Sequence, residues 1–90
     1  MITKRFIVIG DVQGVGFRHF TRGLAERHGI KGYVKNLYDG SVEAIAQGEE
    51  GNMTEFEKGL YQGPRWSIIS EIREEVLGNE RVYEGFRIAF

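Results

Sequence analysis

The spacing of apolar residues changes from strand-like to helix-like within residues 6–18, which read Phe6-Ile7-Val8-Ile9-Gly10-Asp11-Val12-Gln13-Gly14-Val15-Gly16-Phe17-Arg18. The β-branched and aromatic run at the start, bounded by Gly10, predicts a strand over about residues 3–10. A glycine-bearing loop follows over residues 11–17. From about Arg18 the apolar residues recur at intervals of three and four, which predicts an amphipathic helix. This helix is expected to end at His28, with Gly29 as its left-handed cap.

Two further strands are predicted in the middle of the chain, over residues 30–37 and 41–47. Asp39-Gly40 between them is a strong signal for a hairpin turn. The later strand alternates, with Val42, Ala44 and Ala46 on one face and Glu43 and Gln47 on the other.

The last third of the chain adds a helix and two strands. Asn52 stands three residues before Glu55, which resembles a capping box and predicts that the second helix begins there. Gly63-Pro64 is expected to end this helix. Alternation predicts a fourth strand over residues 68–76 and a short closing strand over residues 86–90.

The order of these elements is β-α-β-β-α-β with a short extra strand. Two helices can cover only one face of such a sheet, and a ferredoxin-like arrangement satisfies the order with short, right-handed connections. We therefore expect an α+β fold: a ferredoxin-like βαββαβ sandwich whose antiparallel sheet carries two helices on one face and a short extra C-terminal strand. Ninety residues are expected to form a single domain over residues 1–90.

Composition excludes several classes of function. The sequence has 12 Lys and Arg against 13 Asp and Glu, so it lacks the strongly basic balance of a nucleic-acid-binding domain. It has no cysteine, which excludes a thiol nucleophile, a disulfide framework and a thiolate metal site. No apolar run approaches the roughly 20 residues that cross a bilayer, so no membrane partner is expected. These features are typical of a cytoplasmic protein.

Glycine is unusually frequent, with 13 residues, about twice the average usage. The glycines are not periodic and are expected at turns and at close backbone approaches. Gly23 falls inside the predicted first helix, where it costs about 1 kcal/mol relative to alanine. Close packing of that helix against a strand would explain it.

The loop at residues 11–17 has features of a phosphate site. Glycines at positions 14 and 16 allow positive φ, so successive backbone N–H groups can point into one concavity. The following helix places its positive dipole end at the same point, and the planar fork of Arg18 can donate two parallel hydrogen bonds to a phosphoryl group. The alternative is an ordinary glycine-rich turn between a strand and a helix.

Two better-known phosphate motifs do not fit this loop. His19 stands where the third glycine of a dinucleotide fingerprint belongs, and no Gly-Lys-Ser/Thr sequence of a Walker A loop is present.

Two long segments of the chain resemble the acylphosphatase family. Residues 10–18 are similar to the family's first signature. Gly32-Tyr33-Val34-Lys35-Asn36, followed by Gly40, Val42 and Gly48, resembles the second at the family's spacing. Gly63-Pro64 and the ending Gly85-Phe86-Arg87-Ile88 also match, so the resemblance spans nearly the whole chain.

This resemblance implies an enzyme that hydrolyses small-molecule acyl phosphates to a carboxylate and inorganic phosphate, with no cofactor and no metal. It implies that Arg18 and Asn36 are the catalytic residues: Arg18 binds the phosphate and Asn36 positions the attacking water. The backbone loop implied to bind phosphate consists of Gln13, Gly14, Val15, Gly16, Phe17 and Arg18. Inorganic phosphate is expected as product and inhibitor, and the chain is expected to be a monomer.

Several residues have competing interpretations. His19 follows Arg18 and is tempting as an acid or base, but we expect it on the exposed surface of the helix. With two histidines and no cysteine a metal site is not expected, although a site made of carboxylates alone stays open. Tyr33 and Trp66 could line the site, with packing in the core or at the rim as the default.

Asp11 departs from the family pattern, and its carboxylate is expected to repel an anionic substrate at long range. The cost should be small if Asp11 points to solvent, where ions screen its charge.

Two other functions stay open. An RNA-recognition module would carry stacking aromatics on a central strand, and residues 41–47 contain none. The chain could also resemble a domain that binds acyl or carbamoyl phosphate within a larger assembly, although its length favours a free enzyme.

Overall fold

The chain forms one five-stranded sheet with two helices against one face, and the computed structural model describes residues 1–90. The strand order is β4-β1-β3-β2-β5, with every neighbouring pair antiparallel except β2 and β5. The expected ferredoxin-like class is confirmed, and β5 makes the sheet mixed. The elements are β1 (Ile2–Asp11), α1 (Phe17–Arg27), β2 (Lys31–Asn36), β3 (Val42–Gly48), α2 (Glu50–Gln62), β4 (Ile68–Leu77) and β5 (Phe86–Ile88).

The core lies between the sheet and the two helices. Alternate positions of β1 and β3 supply its floor, and apolar stripes on the helices cover them. Ala44 and Ala46 on β3 are fully buried, and small side chains there leave room for the larger ones of the helices. The buried residues of the helices are Phe17, Thr21, Leu24 and Ala25 on α1 and Met53, Phe56 and Leu60 on α2.

The open face of the sheet is also partly buried. Glu43 was expected on this polar face of β3, and its side chain is only 9% exposed. Its carboxylate accepts a hydrogen bond from Arg5 Nε at 2.7 Å and another from the Tyr33 hydroxyl at 3.2 Å. Burial raises the pKa of Tyr33, and the charge of Glu43 adds to this effect. Cross-strand partners therefore satisfy a carboxylate that alternation alone assigns to solvent.

Strand β4 departs from simple alternation. The pairing of β1 with β4 shifts after Ile9, so that Ile9 lies opposite Glu71 whereas Gly10 lies opposite Ile69. Ser70 is the extra residue of this bulge, and it lets Ile69 and Ile72 both pack on the core although they are three apart. Gly10 has φ +144°, and an added Cβ would lie 2.1 Å from the Ile68 carbonyl oxygen, so only glycine fits there.

The predicted start of α2 was wrong. The helix begins at Glu50 with Glu49 as its N-cap, and Asn52 lies inside the first turn instead of capping it. The Met53 N–H donates to the Glu49 carbonyl at 2.8 Å, which closes the first turn three residues earlier than the capping-box pattern indicated. The acidic side chain of Glu50 favours this start, because it lies near the positive end of the helix dipole.

The expected reason for Gly23 was also wrong. The residue is exposed on α1, and an added Cβ would have no heavy atom within 4 Å. No strand packs against it, so the structure supplies no steric requirement for glycine at this position.

Replacing Gly23 with alanine should therefore stabilise the protein by about 1 kcal/mol, because alanine has the higher helix propensity and restricts the unfolded chain. In a domain of this size the melting temperature should rise by roughly 4–8 °C. Gly10→Ala is the matched control and should lower the melting temperature, since its Cβ collides with β4. A melting temperature for Gly23→Ala at or below that of the wild type would contradict the conclusion that the structure does not require glycine at position 23.

No helix of the chain combines the length and the apolar character that crossing a membrane requires.

Candidate active site

The loop between β1 and α1 is anchored at both ends and open in the middle. Val12 and Phe17 are 1% and 2% exposed and belong to the core, which fixes where the loop begins and ends. Gly14 and Gly16 between them have φ of +75° and +79°. A Cβ at either position would meet nothing within 4 Å, so backbone conformation, and not crowding, requires glycine at both.

The N-terminus of α1 faces this loop without a side-chain cap. Gly16 is the N-cap residue, no side chain bonds to the first turn, and no acidic residue lies in that turn. The first N–H groups of a helix have no intrahelical acceptors. They remain available to an anion, which the positive end of the helix dipole also attracts.

Gln13 ties the loop to the neighbouring hairpin. Its Nε2 donates to the carbonyl oxygens of Leu37 at 2.8 Å and Ser41 at 2.9 Å. The side chain thus joins the β1–α1 loop to the β2–β3 turn, directly beyond the strand that carries Asn36. These bonds hold the loop that precedes Arg18 against the turn that follows Asn36.

The β2–β3 turn is itself held by side-chain hydrogen bonds. Asp39 Oδ1 accepts from the Ser41 N–H at 2.9 Å and from the Ser41 hydroxyl at 2.5 Å. These bonds hold the pKa of Asp39 below its ordinary value, so the carboxylate stays charged and keeps the turn in place.

A small cavity brings most of the expected site residues together. Its volume is ≈ 190 Å³, and Gly14, Gly16, Phe17, Arg18 and Asn36 all line it. Gln13 and Val15 do not: Gln13 braces the hairpin, and Val15 packs against the core. Val12 and His19 complete the lining. His19 is exposed, as expected, and it also lies in the cavity wall, which the expectation of an exposed helix surface did not include.

Two polar side chains of the cavity, those of Arg18 and Asn36, are free of competing hydrogen-bond partners. Neither the Arg18 guanidinium nor the Asn36 amide makes a hydrogen bond within the protein, and no carboxylate pairs with Arg18. Arg18 makes a cation–π contact instead, with its Cζ 4.9 Å from the centroid of the Phe90 ring. The positive charge of Arg18 is thus available to a bound anion.

A second cavity, of ≈ 580 Å³, shares Asn36 with the first and is lined by Gln13, Lys35, Asn36, Leu37, Tyr38 and Phe90. Sequence reasoning missed it, because Phe90 arrives there through the parallel pairing of β5 with β2. Tyr33 and Trp66, which were considered for the site, line neither cavity.

The chain assembles no group of three or more His, Asp or Glu side chains that could hold a metal ion. The cavity wall instead offers an arginine, an amide, a histidine and backbone donors.

Comparison with known proteins gives one consistent family. The model of the family described as Acylphosphatase matches residues 4–88. An acylphosphatase of Pasteurella multocida is 41% identical over 90 residues, which cover all of both chains.

Solved structures agree with this result. The crystal structure of an acylphosphatase from Bacillus subtilis superimposes with a TM-score of 0.96 at 34% identity, over all of both chains. The full-length HypF in its phosphate- and nucleotide-bound form matches with a TM-score of 0.85 at 30% identity. That match covers all of this chain but 12% of the HypF chain, so the same fold also occurs as part of a much longer protein.

Proposed function

The chain belongs to the acylphosphatase family, and from that premise we propose that it hydrolyses the carboxyl–phosphate bond of acyl phosphates. The products are a carboxylate and inorganic phosphate. The family and the class of enzyme, a hydrolase, are those expected from the sequence motifs. One observation carries the proposal for this site: Arg18 and Asn36 line one cavity with the two left-handed glycines, and both side chains are unpartnered.

In this proposal the phosphoryl group is held by the backbone of residues 13–18 and by Arg18. The uncapped N–H groups at the start of α1 and the guanidinium fork supply donors around a dianion. Phosphoryl transfer passes through a loose transition state, so positioning and electrostatic stabilisation supply most of the catalysis. Donors that are fixed before the substrate arrives suit this requirement, because they need no reorganisation during the reaction.

Asn36 positions the attacking water. Its amide does not titrate, so it cannot act as a strong base, but its carbonyl oxygen can accept a hydrogen bond from water and fix the line of attack. Water adds to phosphorus, the bond between phosphorus and the acyl oxygen breaks, and the carboxylate leaves with the bonding electrons. A carboxylate is a good leaving group, so no general acid is needed. The proton of the water passes to a phosphate oxygen of the substrate.

A turnover assay tests the proposal directly. The protein should release inorganic phosphate from acetyl phosphate and leave phenyl phosphate intact, because phenoxide is a much poorer leaving group than a carboxylate. Inorganic phosphate should inhibit competitively. When phosphate is titrated into the protein, the changes in backbone amide chemical shift should centre on residues 13–18. Shifts centred on residues 41–47 would contradict the location of the phosphate site, and no turnover of acetyl phosphate would contradict the function.

Turnover is also expected to be independent of metal. Arg18 and backbone donors provide the positive charge that a metal ion would otherwise supply, and no ligand cluster is present. Exhaustive dialysis against a chelator should leave kcat unchanged. A rate that collapses with chelator and returns with Mg²⁺ would contradict this mechanism.

Asp11→Asn should strengthen phosphate binding modestly, and more at low salt. Asp11 is exposed at the end of β1, immediately before the loop, and forms no ion pair. Its charge therefore opposes an incoming dianion, with screening over about 10 Å at 0.1 M salt. Glu84→Gln, on the exposed loop before β5, is the control for a mere change in net charge, because Glu84 likewise forms no ion pair. Equal effects of the two substitutions would show that Asp11 has no local role.

Three expectations stay predictions: that residues 1–90 form a single domain, that the chain is a monomer, and that it is located in the cytoplasm.

A further inference from the structure

His19 is the one polar side chain of the cavity beside the β1–α1 loop that the proposed mechanism does not use. It lines this cavity of ≈ 190 Å³ together with Arg18, Asn36 and the two left-handed glycines. The side chain is exposed, and its imidazole forms neither a hydrogen bond nor an ion pair within the protein. Its two ring nitrogens are therefore available to a bound anion.

Helix geometry directs His19 toward that anion. The residue lies in the first turn of α1, which begins at Phe17 and has Gly16 as its N-cap. Cα–Cβ bonds in an α-helix tilt toward the N-terminus of the helix, so the imidazole leans back toward the loop. The free N–H groups at the start of α1 point to the same place. No acidic residue lies in this turn, so no carboxylate of the helix start competes for the ring.

The charged groups nearest to His19 are mainly positive. On α1 they are Arg18, in the same cavity wall, and Arg22, one turn further along. Strand β1 contributes Asp11, which is exposed immediately before the loop and forms no ion pair. An anion in the cavity offsets the repulsion among the positive groups. Binding of the anion and binding of a proton at His19 are consequently expected to favour each other.

The other elements that pack on α1 place their charged groups elsewhere. Lys35 on β2 is the cross-strand partner of Glu43, so its side chain starts from the open face of the sheet, away from α1. Arg87 on β5 has its Cζ over the Tyr33 ring, on the same open face. Helix α2 approaches α1 at Leu24, more than a turn beyond the start of the helix.

We propose that His19 is a further anion-binding residue of this cavity, and that its imidazolium form strengthens binding of the phosphoryl group as the pH falls. Histidine is the side-chain type that ordinarily changes its charge between about pH 5 and pH 8. The imidazolium offers a charge-assisted N–H donor, whereas the neutral ring adds no charge. The inference rests on the proposed function, since it adds a ligand to the same phosphoryl group. His19 transfers no proton, because the carboxylate leaving group needs no acid.

Sulfate is the probe that isolates the charge of His19. It is a tetrahedral dianion like the phosphoryl group, and it keeps its charge from about pH 5.5 to pH 8, whereas a phosphate group takes up a proton in this range. The wild type should bind sulfate about threefold or more tightly at the lower pH, which is the scale of an exposed ion pair. Backbone amide shifts during a sulfate titration at each pH give both Kd values and should centre on residues 13–18.

Two substitutions of His19 separate its charge from its shape. His19→Gln should bring the ratio of the two Kd values close to one, because glutamine keeps hydrogen-bonding groups but cannot become charged. His19→Lys should also give a ratio close to one, but with sulfate affinity at about pH 8 above that of the wild type, because lysine is charged at both pH values. His28→Gln is the matched control. It removes the other histidine, at the C-terminal end of α1, and should keep the wild-type ratio.

Kinetics give a second readout of the same charge. At about pH 5.5, His19→Gln should raise KM for acetyl phosphate by about threefold and change kcat less, which is the pattern when binding to ground state and transition state is lost equally. A larger fall in kcat than rise in KM would contradict a role in binding and would indicate proton transfer.

The outcomes distinguish this inference from the proposed function. A wild-type ratio near one, or equal ratios in His19→Gln and the wild type, overturns the role of His19. If acetyl phosphate is still hydrolysed in that case, the proposed function stands. A ratio that falls as far in His28→Gln as in His19→Gln also overturns the role, because net charge would then explain the effect. A wild type that neither binds sulfate at residues 13–18 nor hydrolyses acetyl phosphate overturns both.

Discussion

Arg18→Ala is expected to weaken phosphate binding and to lower kcat/KM for acyl phosphates by about 10³-fold or more, the range in which a single arginine contributes to phosphoryl transfer. Arg18 is the one charged side chain that lines the cavity of ≈ 190 Å³ beside the β1–α1 loop, and it has no ion-pair partner. In the proposed mechanism it contacts the phosphoryl oxygens in the ground state and in the transition state, so its loss should affect both binding and turnover. Isothermal titration with inorganic phosphate and steady-state kinetics measure the two effects separately.

Arg18→Lys should not restore the activity. Lysine keeps the charge but offers a point charge on a flexible stem, whereas the arginine fork presents two parallel donors to two oxygens. If Arg18→Lys recovers most of the wild-type kcat/KM, the fork is not required and charge alone explains the role of the residue.

Arg22→Ala is the matched control for long-range charge. Arg22 lies one turn further along α1, lines neither cavity and forms no ion pair. Its removal changes the net charge by the same amount as Arg18→Ala does. Because ions screen distant surface charges, kcat/KM should stay within about twofold of the wild-type value. A loss comparable to that of Arg18→Ala would show that the field of the helix, and not contact with Arg18, is responsible.

Much of the fold could be predicted because the two apolar periods are clear in this sequence. The strand and helix bounds of β1, α1, β2 and β3 agree with the expected ones to within about one residue. The departures have a common physical cause, namely contacts with parts of the chain that are distant in sequence. The bulge at Ser70 exists because β4 must pair with Gly10, and no local pattern in residues 68–76 reveals that partner.

The start of α2 shows the limit of a local motif. Asn52 and Glu55 match the spacing of a capping box, yet the stripe of Met53, Phe56 and Leu60 sets which turns must pack on the core. Extending the helix back to Glu50 adds backbone hydrogen bonds before that stripe, and the asparagine then lies inside a regular turn.

The candidate site also has a part that could be predicted from the sequence and a part that could not. Gly14, Gly16 and Arg18 are adjacent in the sequence, so their shared place in one loop was predictable from the residues. Asn36 was assigned only through the family resemblance, because nothing local indicates that the end of β2 lies beside that loop. Phe90 could not be assigned at all, since its position depends on the parallel pairing of β5 with β2.

Asn36→Ala should separate catalysis from binding. In the proposed mechanism its side chain contacts the attacking water and not the phosphate, so the interaction strengthens only as the transition state forms. We expect kcat to fall by about 10²-fold or more, a loss of roughly 3 kcal/mol at 1.36 kcal/mol per decade. Phosphate affinity should stay near that of the wild type, which is the pattern for an interaction made in the transition state.

The structure favours a clean result for this substitution. Asn36 is half-buried at the end of β2, its backbone pairs with Val42, and its side chain makes no hydrogen bond whose loss would unfold the protein. Asn52→Ala is the control, because Asn52 lies beside a cavity at the opposite end of the sheet and should leave kcat unchanged. Melting curves should show both variants folded. If Asn36→Ala abolishes phosphate binding while kcat survives at saturating substrate, Asn36 is a binding group and the water-positioning role is refuted.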